Sequence, residues 1–308
     1  MRDKDPLHST PYRSGPDPFA PLSATGGGEG LRFYTESLGL PEAAFALLRD
    51  LIHERVGLFY DSGKRDLLAD KLSQRVVDCG FSSFLDYYYL LKYGEDAAQE
   101  WQCVMDVLSV PETYFWREVD QVHALVDRVL PEHIARTPLV PFRIWSAACC
   151  SGEEPLSIAM ALHEAGWFDR ARIEIAATDA SPAAIGRARR GLYRERSFRA
   201  LPAALRAKYF SEQAGEWRVD AGLQARITYD TLNLLQPDME RLASAHAIFC
   251  RNVFIYFSAE AIGKIVRRFF ENMPAPGYLF VGASESLLRL TTAFELEEAG
   301  GAFVYVKK

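Results

Sequence analysis

A chain of 308 residues with 49% hydrophobic side chains is longer than one core usually organises and has enough apolar material for two. Its 35 basic and 41 acidic side chains leave a formal charge of −6, which argues against a general nucleic-acid-binding surface. No apolar run approaches the length of a membrane span, and Arg2, Asp3, Lys4 and Asp5 are not followed by a signal-peptide core, so the sequence reads as cytoplasmic with no membrane insertion.

Residues 1–38 carry five prolines and the clustered Gly26, Gly27, Gly28 and Gly30 with no sustained period, the composition of a flexible tail. From Pro41 a helix is expected, because Phe45, Leu48, Ile52 and Val56 recur at i, i+3, i+7 and i+11. Asp61 or Ser62 can cap a second helix reaching about Val77, Ser82 or Ser83 a third ending near Gly94, and a fourth covers 97–108. Together they make 39–110 an all-helical domain. Pro111 interrupts it, and 111–136 reads as a linker and helix leading into a second domain at 137–308. There strand and helix alternate, with parallel strands expected at 142–148, 172–178, 227–233, 245–250 and 277–281. A late strand at 294–297 and one through Phe303 and Tyr305 would close the sheet as a hairpin. The five cysteines, Cys79, Cys103, Cys149, Cys150 and Cys250, form no CxxC pair and read as reduced packing residues. None of the six histidines has metal-ligand spacing, so no metal site is expected.

The junction between the first strand and its helix is the most informative stretch. Phe142, Ile144 and Trp145 lead into small residues, Gly152, and a helix that opens on Glu153 and Glu154. A glycine there lets backbone approach a ligand closely. Two carboxylates at the helix start would repel a pyrophosphate, whereas a ligand with a cationic end and no phosphate, such as S-adenosylmethionine, suits them. Standing alone, the pair also serves simply to complement the helix dipole. Some 20 residues past the glycine, the run from Ile173 ends in Thr178 and Asp179, the spacing at which a second strand delivers a carboxylate to ribose hydroxyls. A capping role is the plainer alternative for Asp179.

Six segments then resemble, in order and spacing, the motif set of the CheR-type chemotaxis receptor methyltransferases: 111–118 (PETYFWRE), 145–160 (WSAACCSGEEPLSIAM), 177–193 (ATDASPAAIGRARRGLY), 233–235 (NLL), 248–257 (IFCRNVFIYF) and 282–286 (GASES). The likeness covers nearly everything from about residue 40 onward. It implies an α/β, Rossmann-like S-adenosylmethionine-dependent methyltransferase domain over 137–308, an N-terminal all-α domain, and a small inserted antiparallel β-subdomain at about 211–226. The implied reaction moves the methyl group of S-adenosylmethionine, leaving S-adenosylhomocysteine, to glutamate γ-carboxylates on the cytoplasmic helices of methyl-accepting chemoreceptors. The enzyme would act as a monomer. A glutamate with an ordinary pKa of about 4.3 is already an anion at neutral pH, so no general base is needed. Proximity, orientation and desolvation would carry the catalysis.

The resemblance also distributes roles. Thr113 and Arg117 would contact the cofactor, with Arg117 also holding the substrate carboxylate, and Tyr256 would stand beside the transferring methyl. Asn233 and Leu234 would read and cover adenine, Arg251 and Asn252 line the cofactor, and either Glu153 or Glu154 meet its ammonium, the spacing favouring Glu154. Lys64, Lys71 and Arg75 share one face of the second helix and would steer an acidic receptor helix inward. The bland alternatives are a surface ion pair for Arg117, core packing for Tyr256 and a solvated face for the three cations. Departures from the family pattern are Pro111, Cys150, Leu156 and Ala283. Only Ser211 to Trp217 separate Phe210 from Arg218, a short stretch that suggests methylation without a receptor-tail tether along the β-subdomain edge. Competing readings are a nicotinamide dehydrogenase, an amino-methylating nucleic-acid enzyme, and a non-catalytic cofactor-binding or receptor-binding scaffold of the same fold.

Overall fold

The computed structural model describes residues 38–308, so the tail expected over 1–38 lies outside the described residues save for Leu38. Helix α1 (Glu42–Val56) buries the stripe of Phe45, Leu48, Ile52 and Val56. It stops at Gly57, whose φ of 80° is left-handed and whose N–H bonds the His53 carbonyl. A Cβ at Gly57 would lie 2.6 Å from the Phe257 ring, so glycine lets this helix end close on the second domain. Asp61 accepts a hydrogen bond from the Gly63 N–H and opens a 3-10 turn, Ser62–Lys64, that runs into α2 (Arg65–Asp78). Ser83 caps α3 (Phe84–Tyr93), and α4 (Ala97–Leu108) follows. The four helices meet around Phe45, Leu48, Leu68, Leu72, Tyr87 and Val104, each such side chain contributing about 1.5–3 kcal/mol by leaving water.

Helix α5 (Val119–Ala124), a π-helical turn (Leu125–Val129) and α6 (Leu130–Arg136) carry the chain to the main sheet. Its strands are β1 (Phe142–Ala147), β2 (Ile173–Asp179), β6 (Ile227–Thr231), β7 (Ala247–Cys250), β8 (Gly277–Phe280), β9 (Glu295–Ala299) and β10 (Ala302–Lys307). They lie in the order β6-β2-β1-β7-β8-β10-β9, the first five parallel and β10 antiparallel to both of its neighbours. Side-chain alternation feeds two cores. Ile144 and Phe249 face the layer of α5, α6 and α7 (Glu153–Glu164), whereas Trp145 and Ile248 face α12 (Met239–Ala243) and α13 (Ala259–Asn272). The short α8 (Trp167–Arg170) precedes β2, and α9 (Pro182–Arg190) follows it.

The small sheet differs from expectation. Its order is β3-β5-β4, formed by β3 (Leu192–Tyr193), β4 (Phe210–Gln213) and β5 (Glu216–Val219). It therefore begins well before Ser211, with α10 (Ala203–Tyr209) inserted and α11 (Ala221–Gln224) leading out. A two-residue strand has no alternation to read, which is why β3 escapes the sequence.

Candidate active site

The sheet order reverses at β1, whose neighbours β2 and β7 continue in opposite directions along the chain, and such a reversal leaves a crevice outside the strand carboxyl ends. A cavity of about 280 Å³ opens there, close to the lower end of small-molecule sites. The turn after β1, Asp179, Leu232 to Leu234, and Arg251 to Val253 line one side, and Tyr60, Lys64, Lys71, Met105 and Val110 of the helical domain line the other. Several polar ties hold that second wall in place. Phe59 N–H bonds the Tyr256 carbonyl at 2.9 Å beside a Leu58–Phe257 bridge. Asp106 on α4 accepts from Ser181 Oγ at 2.5 Å and from the Ala183 N–H at 3.0 Å, at the start of α9.

The β1–α7 turn bends through left-handed residues, Ala148 (φ 62°), Cys150 (φ 51°) and Gly152 (φ 94°). Its form is held by Asp179, whose Oδ2 accepts the Cys150 N–H and whose Oδ1 accepts the Ser181 N–H, both at 2.9 Å. Burial pushes the Asp179 carboxyl up, against the pull of those two bonds. Gly152 departs from its expected role. A Cβ there would meet Ala188, Tyr193 and Tyr229 at 3.0–3.2 Å, so the close approach it permits is to protein and not to a ligand in the cavity.

The acidic pair separates. Glu153 turns away from the cavity and accepts from Ser151 Oγ and Ser197 Oγ at 2.8 and 3.0 Å, which corrects its candidacy as a cofactor contact. Adjacent helical residues differ by about 100° in direction, so only one of the two can face the crevice. Glu154 does so, accepting from Ser146 Oγ at 2.6 Å with the Arg251 Nε 3.6 Å from its Oε2. Burial pushes the Glu154 carboxyl up, and the Arg251 charge opposes the rise.

Arg251 is the hub of this end. Its guanidinium, 2% exposed, donates to the Arg117 carbonyl at 2.6 Å and stands 3.4 Å from Glu118 Oε2, while its Nε has no hydrogen-bond partner. Glu118 in turn accepts from Asn252 Nδ2 and the Ala283 N–H. Glu285 accepts from the Asn252 and Gly282 N–H groups, both at 2.7 Å, locking the loop after β7 to the loop after β8. Glu118 and Glu285 went unassigned in the sequence, although both lie inside the motif segments. A carboxylate raised by burial, paired with a buried guanidinium, complements the ammonium and carboxylate of an α-amino acid end. Together with the Asp179 carboxylate, which lines the same cavity, this lining fits S-adenosylmethionine.

The remaining candidates divide between the cavity and the helical core. Thr113, Arg117 and Tyr256 line the cavity near its helical-domain wall, and Arg117 Nη1 also donates to the Glu112 carbonyl at 3.0 Å. Burial raises the Tyr256 hydroxyl pKa, while the nearby Arg117 charge opposes this. Leu234 lines the cavity with Asn233, but the Asn233 side chain is spent on the Arg55 carbonyl and the Leu235 N–H, so it ties the domains together and has less to offer a base. The basic stripe is corrected. Arg75 makes a two-pronged pair with buried Glu100 at 3.0 and 2.6 Å, and Lys71 donates to the Val107 and Leu108 carbonyls that end α4. Lys64, paired with Asp61 at 3.4 Å, stays half exposed and lines the cavity with Lys71. Among the described residues, no group of three or more His, Cys, Asp and Glu could hold a metal ion, and no helix is long and apolar enough to cross a membrane.

Residues 111–302 match the family model described as the CheR methyltransferase SAM binding domain, and residues 43–109 match that of the CheR methyltransferase all-alpha domain. Chemotaxis protein methyltransferase 2 of Vibrio cholerae is 32% identical over 272 residues, covering 87% of this chain and 94% of its own. Chemotaxis protein methyltransferase of Escherichia coli is 33% identical over 266 residues, 85% of this chain and 91% of its own. Chemotaxis protein methyltransferase 1 of Pseudomonas aeruginosa is 32% identical over 275 residues, 86% of this chain and 98% of its own.

Proposed function

Because the chain belongs to the CheR methyltransferase family and carries its S-adenosylmethionine-binding domain, we propose that it methylates glutamate γ-carboxylates on the cytoplasmic helices of chemoreceptors, as a cytoplasmic monomer in chemotactic adaptation. The observation that carries this reading is that Asp179, Glu154 and Arg251 line one cavity together with Thr113, Arg117 and Tyr256.

When bound, S-adenosylmethionine supplies a methyl group on a positively charged sulfur. In this reading Glu154 holds the ammonium, Arg251 sets the charge facing the carboxylate, Asp179 holds the ribose hydroxyls, and Leu232 and Leu234 flank the base. Arg117 offers a charge-assisted fork to the incoming glutamate and fixes the angle at which its oxygen approaches. That carboxylate oxygen forms a bond to the methyl carbon while the carbon–sulfur bond breaks and leaves its electron pair on sulfur. No proton moves. Two opposite charges cancel, so Met105, Val110 and Phe257 assist by keeping water from solvating them separately.

The test is incubation with tritium-labelled S-adenosylmethionine and membranes bearing chemoreceptors. Base-labile label on the receptor is expected, and it should persist when the receptor C-terminal tail is deleted. Receptor binding without label would assign a scaffold. Micromolar binding of a tail peptide, lost on changes within 211–226, would overturn the tether-free part.

A further inference from the structure

Glu153 is a carboxylate for which the chemistry above has no use, and its surroundings are unusual. It is 2% exposed, and its two oxygens are taken by hydroxyls, not by a cation. Oε2 accepts from Ser151, in the same turn that presents the Cys150 N–H to Asp179, and Oε1 accepts from Ser197. The Ser197 carbonyl accepts the Phe115 N–H at 2.9 Å. One turn along α7, Ser157 Oγ donates to the Glu153 carbonyl at 2.7 Å and accepts the Trp116 N–H at 3.0 Å. The Phe115 N–H is thus tied through Ser197 to the Glu153 carboxylate, while the Trp116 N–H is tied through Ser157 to the Glu153 backbone carbonyl, which a side-chain substitution leaves in place.

The segment held this way needs holding. Trp116 (φ 67°) and Glu118 (φ 47°) are left-handed without being glycine, a state that persists only where the surroundings enforce it. The Phe115 ring is clamped among Tyr193, Phe198 and Phe210 at centroid distances of 4.8, 5.2 and 5.0 Å. Thr113 lies two residues before that anchor and Arg117 two after it.

We propose that Glu153 is a positioning residue that couples the cofactor turn at Ser151 to the Thr113–Arg117 segment, so that occupancy of the Asp179 side of the cavity and the setting of Arg117 are energetically linked. A carboxylate suits this task because each of its oxygens can accept from one serine at once, joining α7 to the entry of the β-subdomain without a mobile cation between them. The kinetic part rests on the function proposed above. The coupling itself does not.

The first measurement is amide hydrogen exchange on the full chain with and without S-adenosylhomocysteine. The ligand should slow exchange across 113–118 in the wild type. Glu153→Ala should speed that exchange about tenfold and abolish its response to the ligand, while ligand affinity stays within about threefold, since Glu153 does not reach the cavity. Glu153→Gln should restore most of the protection, because the serine hydroxyls can rotate to give to its oxygen and take from its amide. On receptor membranes Glu153→Ala should lower kcat about tenfold with KM for the cofactor unchanged. If Glu153→Ala does not fold, Ser197→Ala removes the same link at its other end and should give the same pattern. Parallel loss of ligand affinity and kcat, or exchange at 113–118 that ignores the ligand in the wild type, would overturn the proposal. A wild type that labels no receptor yet shows the exchange response would sink the enzyme reading and leave the coupling standing.

Discussion

Replacing Asp179 by alanine separates two jobs that one carboxylate holds. In the protein alone it satisfies the Cys150 and Ser181 N–H groups at 2.9 Å each, and orphaning buried donors costs about 1–3 kcal/mol apiece, less whatever water recovers. Each oxygen retains a further lone pair, and the ribose reading has two hydroxyls take them. Hydrogen bonds to a charged acceptor contribute about 1.5–3 kcal/mol net. With water replacing part of that, Asp179→Ala should weaken S-adenosylhomocysteine by about 1–3 kcal/mol, roughly five- to 150-fold. Titration calorimetry reads the loss, and a 2′,3′-dideoxyribose analogue isolates its origin. The mutational penalty should nearly vanish for the analogue, because there is then no diol to lose. Asp179→Asn should do little better than alanine, since its amide can accept from only one of the two backbone donors and turns N–H toward the other. Unchanged affinity in a folded Asp179→Ala protein, or an equal penalty with the dideoxy analogue, would refute the ribose assignment.

Arg117→Ala and Tyr256→Phe should lower methyl transfer by about ten- to a hundredfold while changing S-adenosylhomocysteine affinity far less; equal losses in the two assays would make them structural. Burial raises the carboxyls of Glu153, Glu154 and Asp179, so between the ordinary carboxyl range and the raised folded values the native protein binds more protons than the unfolded chain. Its stability should therefore fall as pH rises through that interval and level off above it. A ligand ammonium needs Glu154 ionised, so affinity should rise with pH over the same interval and protons be released on binding; calorimetry in buffers of different ionisation heat should show this, and Glu154→Gln should remove it. Although burial alone would raise the Glu100 carboxyl, Arg75 and Tyr87 hold it below the usual range. Arg75→Ala should thus cost about 3 kcal/mol in urea unfolding by leaving a buried charge unpaired, and methylation below the melting range should change less than twofold; a tenfold fall in activity at unchanged stability would reinstate Arg75 as a receptor contact.

The elements were legible where a period or a cap repeats along the chain. The Phe45 to Val56 stripe, the Asp61 and Ser83 caps and the five parallel strands all came from local pattern, and the structure places them within a few residues. What stayed hidden depends on direction or distance. Helical periodicity puts Lys64, Lys71 and Arg75 on one face, yet it cannot say that α4 covers that face and that Glu100 lies beneath it. Local pattern does not separate Glu153 from Glu154, and only the family spacing favours Glu154, because which of the two faces the crevice is set by how α7 sits on the sheet. Arg251 and Arg117 are 134 residues apart, and no spacing rule reaches from one to the other. Glu285 is hidden for the same reason, since it also accepts from the Asn252 and Ile255 N–H groups, 33 and 30 residues away.

The helical wall gives the site a dependence that neither domain has alone. Lys64, Met105 and Val110 complete a cavity whose chemistry comes from the strand ends, so the cavity exists only while α4 stays on α9 and the end of α1 stays on the Phe257 loop. Those contacts are few and specific. Asp106 caps the helix that follows Asp179, and Asn233 gives its amide to the Arg55 carbonyl. Both sit beside residues that line the cavity. A ligand in that cavity should therefore also steady the helical wall, and slower amide exchange across α4 with S-adenosylhomocysteine bound is the expected reading; exchange there that ignores the ligand would refute it.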